Sequence, residues 1–216
     1  MKLLIVDDMK SFLDLEKTFL VRADCRVYTA TTGLEAIKVA QQERPDLILL
    51  DVEMPEMNGI EATRIIGQQP DLKDIPIVVL SSTDRVAEAI SAGAREFVKK
   101  PVDEERFLEV IQRYVPLKIR QDPRRELNRP CTYESDGTKG EGIVADLSIS
   151  GLFLQAPHPF AIGDRLGIRF FFPVEESEKE VNAEGMIVRV SHQGFGIRFT
   201  DISEGAKLFI SDFAGH

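Results

Sequence analysis

The sequence predicts an α/β domain built on a doubly wound, parallel five-stranded sheet, followed by an all-β domain. Three observations support this fold class. In the first half, short apolar runs alternate with amphipathic helical patterns, which is typical of the βα units of parallel sheets. The predicted strands are apolar throughout, as expected of strands covered on both faces. After residue 116 the pattern changes to alternating and β-branched runs between Gly and Pro turns.

Five strand–helix units follow one another before residue 116. The predicted strands are LLIV, CRVYTA, DLILLDV, IPIVVLSS and AREFVKKP. The predicted helices are KSFLDLEKTFLV, GLEAIKVAQQ, GIEATRIIGQ, DRVAEAISAG and DEERFLEVIQRYV. Phe12, Leu15 and Phe19 recur at helical spacing in the first of these helices, and Gly93 is the usual C-terminal stop of the fourth.

The second half is expected to form a separate domain. Pro116 ends the last helix, so we predict one domain over residues 1–116, a polar linker over 117–130 and a second domain over 131–216. The runs EGIVADLSISGLFLQA, DRLGIRFFFP and VNAEGMIVRVSHQGFGIRFTD predict a small antiparallel barrel or sandwich. The run AKLFISDFAG predicts a short closing helix.

Composition and charge exclude several classes of function. The net charge of −9 argues against general affinity for nucleic acid. Residues 119–130 form a basic island of net charge +2 between acidic halves of −5 and −6, which suits a small anion better than a long polyanion. No apolar run reaches the roughly 18–20 residues of a membrane span, and the start MKLLIVDD predicts a strand rather than a signal peptide. The distant Cys25 and Cys131 indicate two reduced thiols in a cytoplasmic protein.

Charged and polar residues follow the predicted strands, at the edge where parallel sheets bind ligands. Asp7 and Asp8 follow the first strand, and Asp51, Ser81 and Lys100 follow the third, fourth and fifth. Clustered carboxylates are unfavourable without a cation, and Mg²⁺ is the ion that such oxygen ligands suit best. A lysine and a hydroxyl beside the metal favour a phosphoryl group, which makes Asp51 a candidate nucleophile that forms an aspartyl phosphate. Taken singly, Asp8 is equally a helix cap, Ser81 a turn residue and Lys100 a solvated surface charge.

Residues 1 to about 116 resemble the receiver domain of bacterial two-component response regulators. The matching motifs are VDD, DVEMPEMNGIE, PIVVLSS and FVKKP. The resemblance implies phosphorylation of Asp51 by a histidine kinase or phosphotransfer protein, with no enzymatic activity beyond phosphorylation and dephosphorylation of Asp51 itself. It also implies that Mg²⁺ is held by Asp8, Asp51 and the backbone carbonyl of Glu53, and by Asp7 through water.

The same resemblance implies a conformational switch. Ser81 would turn toward the phosphoryl group, and Phe97, at a position where many family members have Tyr, would follow inward. Lys100 would offset charge on the phosphoryl oxygens, and its peptide bond to Pro101 would be cis.

A second set of candidate residues begins in the basic island. An R-x-x-x-R motif preceded by a third arginine is followed by the run DLSISG, and the residues concerned are Arg124, Arg125, Arg129, Asp146, Ser148 and Gly151. Arginine binds phosphate bidentately and stacks on purines, and guanine offers O6 and N7 to arginine and N–H donors to a carboxylate. Together these chemistries fit a guanine nucleotide with phosphates. Alone, each motif is more often a solvated linker or a turn before a strand.

Residues 120–213, approximately, resemble the PilZ family of cyclic di-guanylate (cyclic di-GMP) receptors. Besides the arginines and DLSISG, the runs GIRFFFP and VRVSHQGFGIRFTDIS carry the resemblance. It implies an all-β barrel in which the R-x-x-x-R arginines contact the phosphates and guanine of cyclic di-GMP, while Asp146, Ser148 and Gly151 lie on the other side of the ligand. Arg124 adds a third cation, and three cations could hold a stacked dimer of the ligand.

These resemblances predict a signalling adaptor with phosphorylation and cyclic di-GMP as inputs and a changed surface for an output protein, or a changed oligomer such as a homodimer, as output. An alternative makes the second domain a docking module without ligand. An enzymatic second domain is disfavoured because His158, His192 and His216 are scattered, and DNA binding is disfavoured by the acidity of the chain. Val115 and Arg124 can be at most roughly 30 Å apart, so we expect the receiver to influence ligand binding.

Overall fold

The computed structural model describes residues 1–119, 122–157, 159–174 and 177–214. The chain forms two compact units, Met1–Arg120 and Gln121–His216. Among the described residues, no helix is long and apolar enough to cross a membrane. Cys25 and Cys131 are both free thiols, as the sequence predicts. His192 is exposed, and the other two histidines, His158 and His216, lie outside the described residues.

The first unit alternates five strands with five helices, as predicted. The strands are β1 (Lys2–Val6), β2 (Arg26–Ala30), β3 (Leu47–Asp51), β4 (Ile77–Ser81) and β5 (Glu96–Lys99). The helices are α1 (Lys10–Phe19), α2 (Gly33–Glu43), α3 (Gly59–Gln68), α4 (Val86–Ser91) and α5 (Glu104–Gln112). All strand pairs are parallel and the order is β2-β1-β3-β4-β5. The order reverses between β1 and β3, so the crevice at their carboxyl ends is where a ligand is expected.

Burial on both faces of the sheet explains the apolar strands. β3 and β4 are buried along their whole lengths. A core cluster that includes Leu4, Ile48 and Ile66 joins the sheet to helix α3. Helices α1 and α5 meet through Phe19 and Phe107, whose ring centroids are 5.2 Å apart.

The second unit is a closed antiparallel barrel followed by a helix. The barrel strands are β6 (Arg125–Ser135), β7 (Thr138–Ser148), β8 (Gly151–Gln155), β9 (Arg165–Val174), β10 (Ser177–Ser191) and β11 (Gly194–Ile202), and the helix is α6 (Glu204–Ala214). The order β10-β11-β8-β7-β6-β9 closes on itself, which decides for a barrel over a sandwich. Inward residues alternate along β9, and Tyr133, Phe160 and Phe195 pack edge to face in the core. Helix α6 adds Ala206 and Ile210 to that core.

The linker between the two domains is shorter in the structure than the sequence predicts. A linker is predicted over residues 117–130, but β6 begins at Arg125 and pairs with β7 from that point. The physical reason is that the sheet holds this segment through its backbone, while most of its side chains remain at least partly exposed. A charged strand of this kind shows no apolar period in the sequence.

Candidate functional site

Asp7, Asp51 and Lys100 come together at the carboxyl ends of the central strands. Asp51 is the last residue of β3, Asp7 follows β1, and Lys100 follows β5. The Lys100 ammonium lies 2.9 Å from Asp51 Oδ1 and also donates to Asp7 Oδ2. All three side chains are less than 10 % exposed. One buried cation therefore compensates two buried carboxylates.

Each buried carboxylate also accepts a hydrogen bond from the backbone. Glu53 N–H donates to Asp51 Oδ2 at 2.6 Å, and Met9 N–H donates to Asp7 Oδ1 at 2.8 Å. Burial raises the pKa of Asp51, against the opposing effect of Lys100. Burial lowers the pKa of Lys100, but its bonds to the two carboxylates outweigh that effect and the net pKa is raised. Lys100 is therefore charged at neutral pH.

Asp8 is exposed beside this cluster, and its carboxylate has no hydrogen bond or ion pair among the described residues. Within the described ranges, no group of three His, Cys, Asp or Glu side chains is arranged to hold a metal ion. However, Mg²⁺ commonly uses only one or two protein carboxylates and retains water for its other positions. The oxygen donors of Asp8 and Asp51 fit that requirement. The predicted set of Asp7, Asp8, Asp51 and Glu53 stays a prediction.

Ser81 and Phe97 lie on the neighbouring strands. Ser81 ends β4 and is fully buried; its hydroxyl shares a 3.0 Å hydrogen bond with the hydroxyl of Thr83 and accepts from Thr83 N–H at 3.2 Å. Phe97 in β5 is half-buried and packs against a cluster that includes Val79 and Ala89. The switch assigned to Ser81 and Phe97 stays a prediction. The peptide bond between Lys100 and Pro101 is cis, as the resemblance implies.

Gly59 is a residue of this site that the sequence analysis did not single out. A Cβ at Gly59 would lie 1.9 Å from the carbonyl oxygen of Asp51. Helix α3 therefore begins against the backbone of Asp51 only because residue 59 has no side chain. The signal in the sequence is the pair Asn58–Gly59, in which Asn58 caps the helix by accepting from Glu61 N–H.

Helix α1 also contributes two residues that the sequence analysis did not assign to the site. The Lys100 ammonium lies 4.5 Å from the ring centroid of Phe12. Glu16 is 5 % exposed, and burial raises its pKa to about 8, with Asp7 adding to the effect and Lys100 opposing it. Glu16 lies four residues after Phe12 and therefore on the same helical face. This spacing is the signal in the sequence that could have placed both residues on one side of α1.

In the second unit, the two predicted ligand motifs lie side by side. Strands β6 and β7 pair so that Arg125 lies opposite Leu147 and Glu126 lies opposite Asp146. The start of the R-x-x-x-R motif therefore lies beside DLSISG. A β-bulge between Glu126 and Arg129 separates the two arginines of the motif. Such a bulge redirects the side chains around it.

The cations of this region are only loosely engaged. Arg124 pairs with Asp146, with side chains 39 % and 32 % exposed, and Arg129 lies 3.3 Å from Glu178, with side chains 41 % and 53 % exposed. Arg125 is exposed and has no ion pair among the described residues. Solvent-exposed pairs of this kind contribute about 0–1 kcal/mol, so an incoming anion can replace them at small cost.

Ser148 and Gly151 have structural roles in this turn. Ser148 is fully buried and its hydroxyl donates to the carbonyl oxygen of Gly151 at 3.2 Å. A Cβ at Gly151 would lie 2.1 Å from the carbonyl oxygen of Ile197, so the glycine lets β8 pair closely with β11. Buried Arg198, which no sequence motif singled out, donates to the Ser150 hydroxyl of the same turn.

Comparison with known proteins agrees with this division of the chain. The model of the response regulator receiver domain matches residues 3–112, and that of the PilZ domain matches residues 118–214. The chemotaxis protein CheY of Listeria monocytogenes is 36 % identical over 52 % of this chain and 97 % of its own length. The protein PilH of Pseudomonas aeruginosa is 33 % identical over 51 % of this chain and 93 % of its own length. The solved structure of CheY4 of Vibrio cholerae is 34 % identical, covers 53 % of this chain and 98 % of its own, and has a TM-score of 0.51.

Proposed function

Because the chain belongs to the response regulator receiver family and carries a PilZ domain after its receiver, we propose that it accepts a phosphoryl group on Asp51 and binds cyclic di-GMP in the second unit. A histidine kinase or phosphotransfer protein is the phosphodonor, and an output protein reads the resulting surface. The free thiols of Cys25 and Cys131 suit a cytoplasmic protein.

The buried contact between Lys100 and Asp51 is the observation that carries the receiver half of this proposal. Asp51 presents a carboxylate that can attack a phosphoryl group, and Lys100 holds positive charge where phosphoryl oxygens would arrive. Asp8, Asp51 and the backbone carbonyl of Glu53 would hold Mg²⁺, with Asp7 acting through water, and the metal would supply further charge compensation for the phosphoryl group. The buried hydroxyl of Ser81 is available one strand away.

The pairing of β6 with β7 supports the PilZ half. It brings an exposed arginine, Arg125, next to the end of β7 that carries Asp146. Arg124 and Arg129 add two cations held by surface ion pairs. Ser148 and Gly151 would then act through the backbone shape of the turn, and Asp146 would be the group available for ligand contact.

Calorimetry tests the PilZ half, and a phosphorylation assay tests the receiver half. Cyclic di-GMP is titrated into the full chain, into a double variant Arg125→Ala and Arg129→Ala, and into the control Arg169→Ala, which removes one arginine from β9. We expect binding by the wild type and the control, and loss of binding by the double variant. Phosphate incorporated from acetyl phosphate with Mg²⁺ is measured on the wild type, on Asp51→Asn, which is expected to lose it, and on the exposed Asp71→Asn, which is expected to retain it.

A second candidate function is a receiver with a PilZ-like docking module that binds no cyclic di-GMP. The structural roles of Ser148 and Gly151 favour it, because their contacts within the barrel would be needed in a docking module too. Absence of any heat of binding, with intact phosphorylation of Asp51, would select this candidate.

A further inference from the structure

A continuous row of residues crosses five neighbouring strands of the barrel on one face. Glu126 in β6 pairs with Asp146 in β7, Asp146 with Phe153 in β8, Phe153 with Gly196 in β11, and Gly196 with Arg189 in β10. The neighbours of Phe153 along β8, Leu152 and Leu154, belong to the barrel core. Since side chains alternate along a strand, the row lies on the outer face.

The glycine in the row makes room for the arginine. A Cβ at Gly196 would lie 3.2 Å from Cβ of Arg189. The Arg189 guanidinium carbon lies 5.7 Å from the ring centroid of Phe153, and Phe153 is only 7 % exposed. The aromatic ring thus supports one face of the guanidinium and restricts its orientation.

Two charges of the row, those of Arg189 and Glu126, are available to a ligand. Arg189 has no hydrogen bond or ion pair with any other described residue, and the same holds for the carboxylate of Glu126. Both line one cavity of about 300 Å³ together with Asp146, Phe153 and the amides of Gln155 and Gln193. A free guanidinium therefore faces the same space as a free carboxylate and the aspartate of DLSISG.

This arrangement is complementary to guanine. Guanine presents acceptors at O6 and N7 that suit an arginine fork, and N–H donors that suit a carboxylate. Adenine presents an amino group in place of O6, so the same arginine would meet a donor. The phosphates of the ligand would remain near the R-x-x-x-R arginines at the β6 end of the row.

We propose that a guanine base of the ligand binds on this row and that Arg189 contacts its O6 and N7 atoms, which makes Arg189 a specificity-determining residue. The inference rests on the proposed binding of cyclic di-GMP by the second unit. Glu126 accepts from the guanine N–H donors on the opposite side of the cavity.

The test compares guanine and adenine ligands on the full chain. Affinities for cyclic di-GMP and cyclic di-AMP are measured by calorimetry and by competition for the wild type, Arg189→Ala, Arg189→Lys and the control Arg169→Ala. We expect Arg189→Ala to weaken cyclic di-GMP binding about tenfold or more and to change cyclic di-AMP binding by less than about twofold. Arg189→Lys should remain weak, because lysine lacks the planar fork, and Arg169→Ala should match the wild type.

Two results would overturn the inference while leaving the proposed function intact. One is wild-type affinity of Arg189→Ala for cyclic di-GMP. The other is an equal loss of both nucleotides, which would show a phosphate contact instead of base recognition. A wild type that binds no cyclic di-GMP would overturn the proposed ligand and this inference together. Circular dichroism of each variant confirms that the barrel is folded.

Discussion

The ammonium of Lys100 lies 2.9 Å from a carboxylate oxygen of Asp51, and both side chains are less than 10 % exposed. Lys100 also pairs with buried Asp7. Removing the cation would leave two carboxylates in a site of low polarity, where an uncompensated charge is costly. The buried lysine therefore supports the folded state as well as the proposed phosphoryl transfer.

We predict that Lys100→Met lowers the free energy of unfolding by about 3 kcal/mol. The matched control is Lys99→Met, because Lys99 pairs with Asp84 on the surface, with side chains 54 % and 81 % exposed, and should cost at most about 1 kcal/mol. Urea denaturation followed by circular dichroism measures both. Equal effects of the two substitutions would contradict the assigned role of the buried pair.

Gly59→Ala is predicted to disturb the phosphoacceptor site through the backbone. Its Cβ would overlap the carbonyl oxygen of Asp51 at 1.9 Å, whereas a Cβ at Gly67 in the same helix meets nothing within 4 Å. Gly59→Ala should slow phosphorylation by acetyl phosphate and lower stability, and Gly67→Ala should stabilise slightly, since alanine is the better helix former. Normal phosphorylation of Gly59→Ala would show that α3 can shift without moving Asp51.

Glu16 makes the stability of the first unit depend on pH. Burial raises its pKa from 4.5 to about 8, so between these values the folded chain holds a proton that the unfolded chain releases. The contribution of protonated Glu16 to the free energy of unfolding is fully present below pH 4.5 and is lost as the pH rises through 8. We predict that Glu16→Gln exceeds the wild type in unfolding free energy at pH 9 by more than about 1 kcal/mol, with a smaller difference at pH 5.

The measurement is urea denaturation at the two pH values, followed by helical circular dichroism because α1–α5 lie in the first unit. The exposed Glu61→Gln in α3 is the control. An identical pH dependence of wild type and Glu16→Gln would contradict the buried protonated state of Glu16.

Arg124 is predicted to set the number of bound ligands. Its ion pair with Asp146 is partly exposed, so ligand phosphates can draw the guanidinium away at small cost. If three cations hold a stacked dimer of cyclic di-GMP, calorimetry should give two ligands per wild-type chain and one per chain of Arg124→Leu. One ligand per wild-type chain would reject the dimer.

Phosphorylation is predicted to change the affinity for cyclic di-GMP by a coupling free energy of about 1–3 kcal/mol. Because β6 already orders Arg125 and Arg129, ordering these two arginines adds little entropy to this coupling. Calorimetry with and without beryllofluoride, which mimics an aspartyl phosphate, measures it. Equal affinities in the two states would mean that the two units work independently.

The sequence by itself determined the elements of the first unit, most strands of the second, and the residues at the ends of the parallel strands. Apolar runs, helical spacing and turn residues are local properties, and the parallel order then brings Asp7, Asp51 and Lys100 to one edge of the sheet. The same local signals could not show that β6 begins at Arg125, because backbone pairing with β7 holds that segment in place of apolar side chains.

Only the tertiary structure decided which charges are buried together and which are free. It placed Lys100 between two carboxylates, buried Glu16 in helix α1, and used Ser148 and Gly151 inside the turn. It also aligned Glu126 with Arg189 across five strands. Burial and cross-strand register depend on residues far apart in the chain, and a pattern of neighbouring residues therefore cannot specify them.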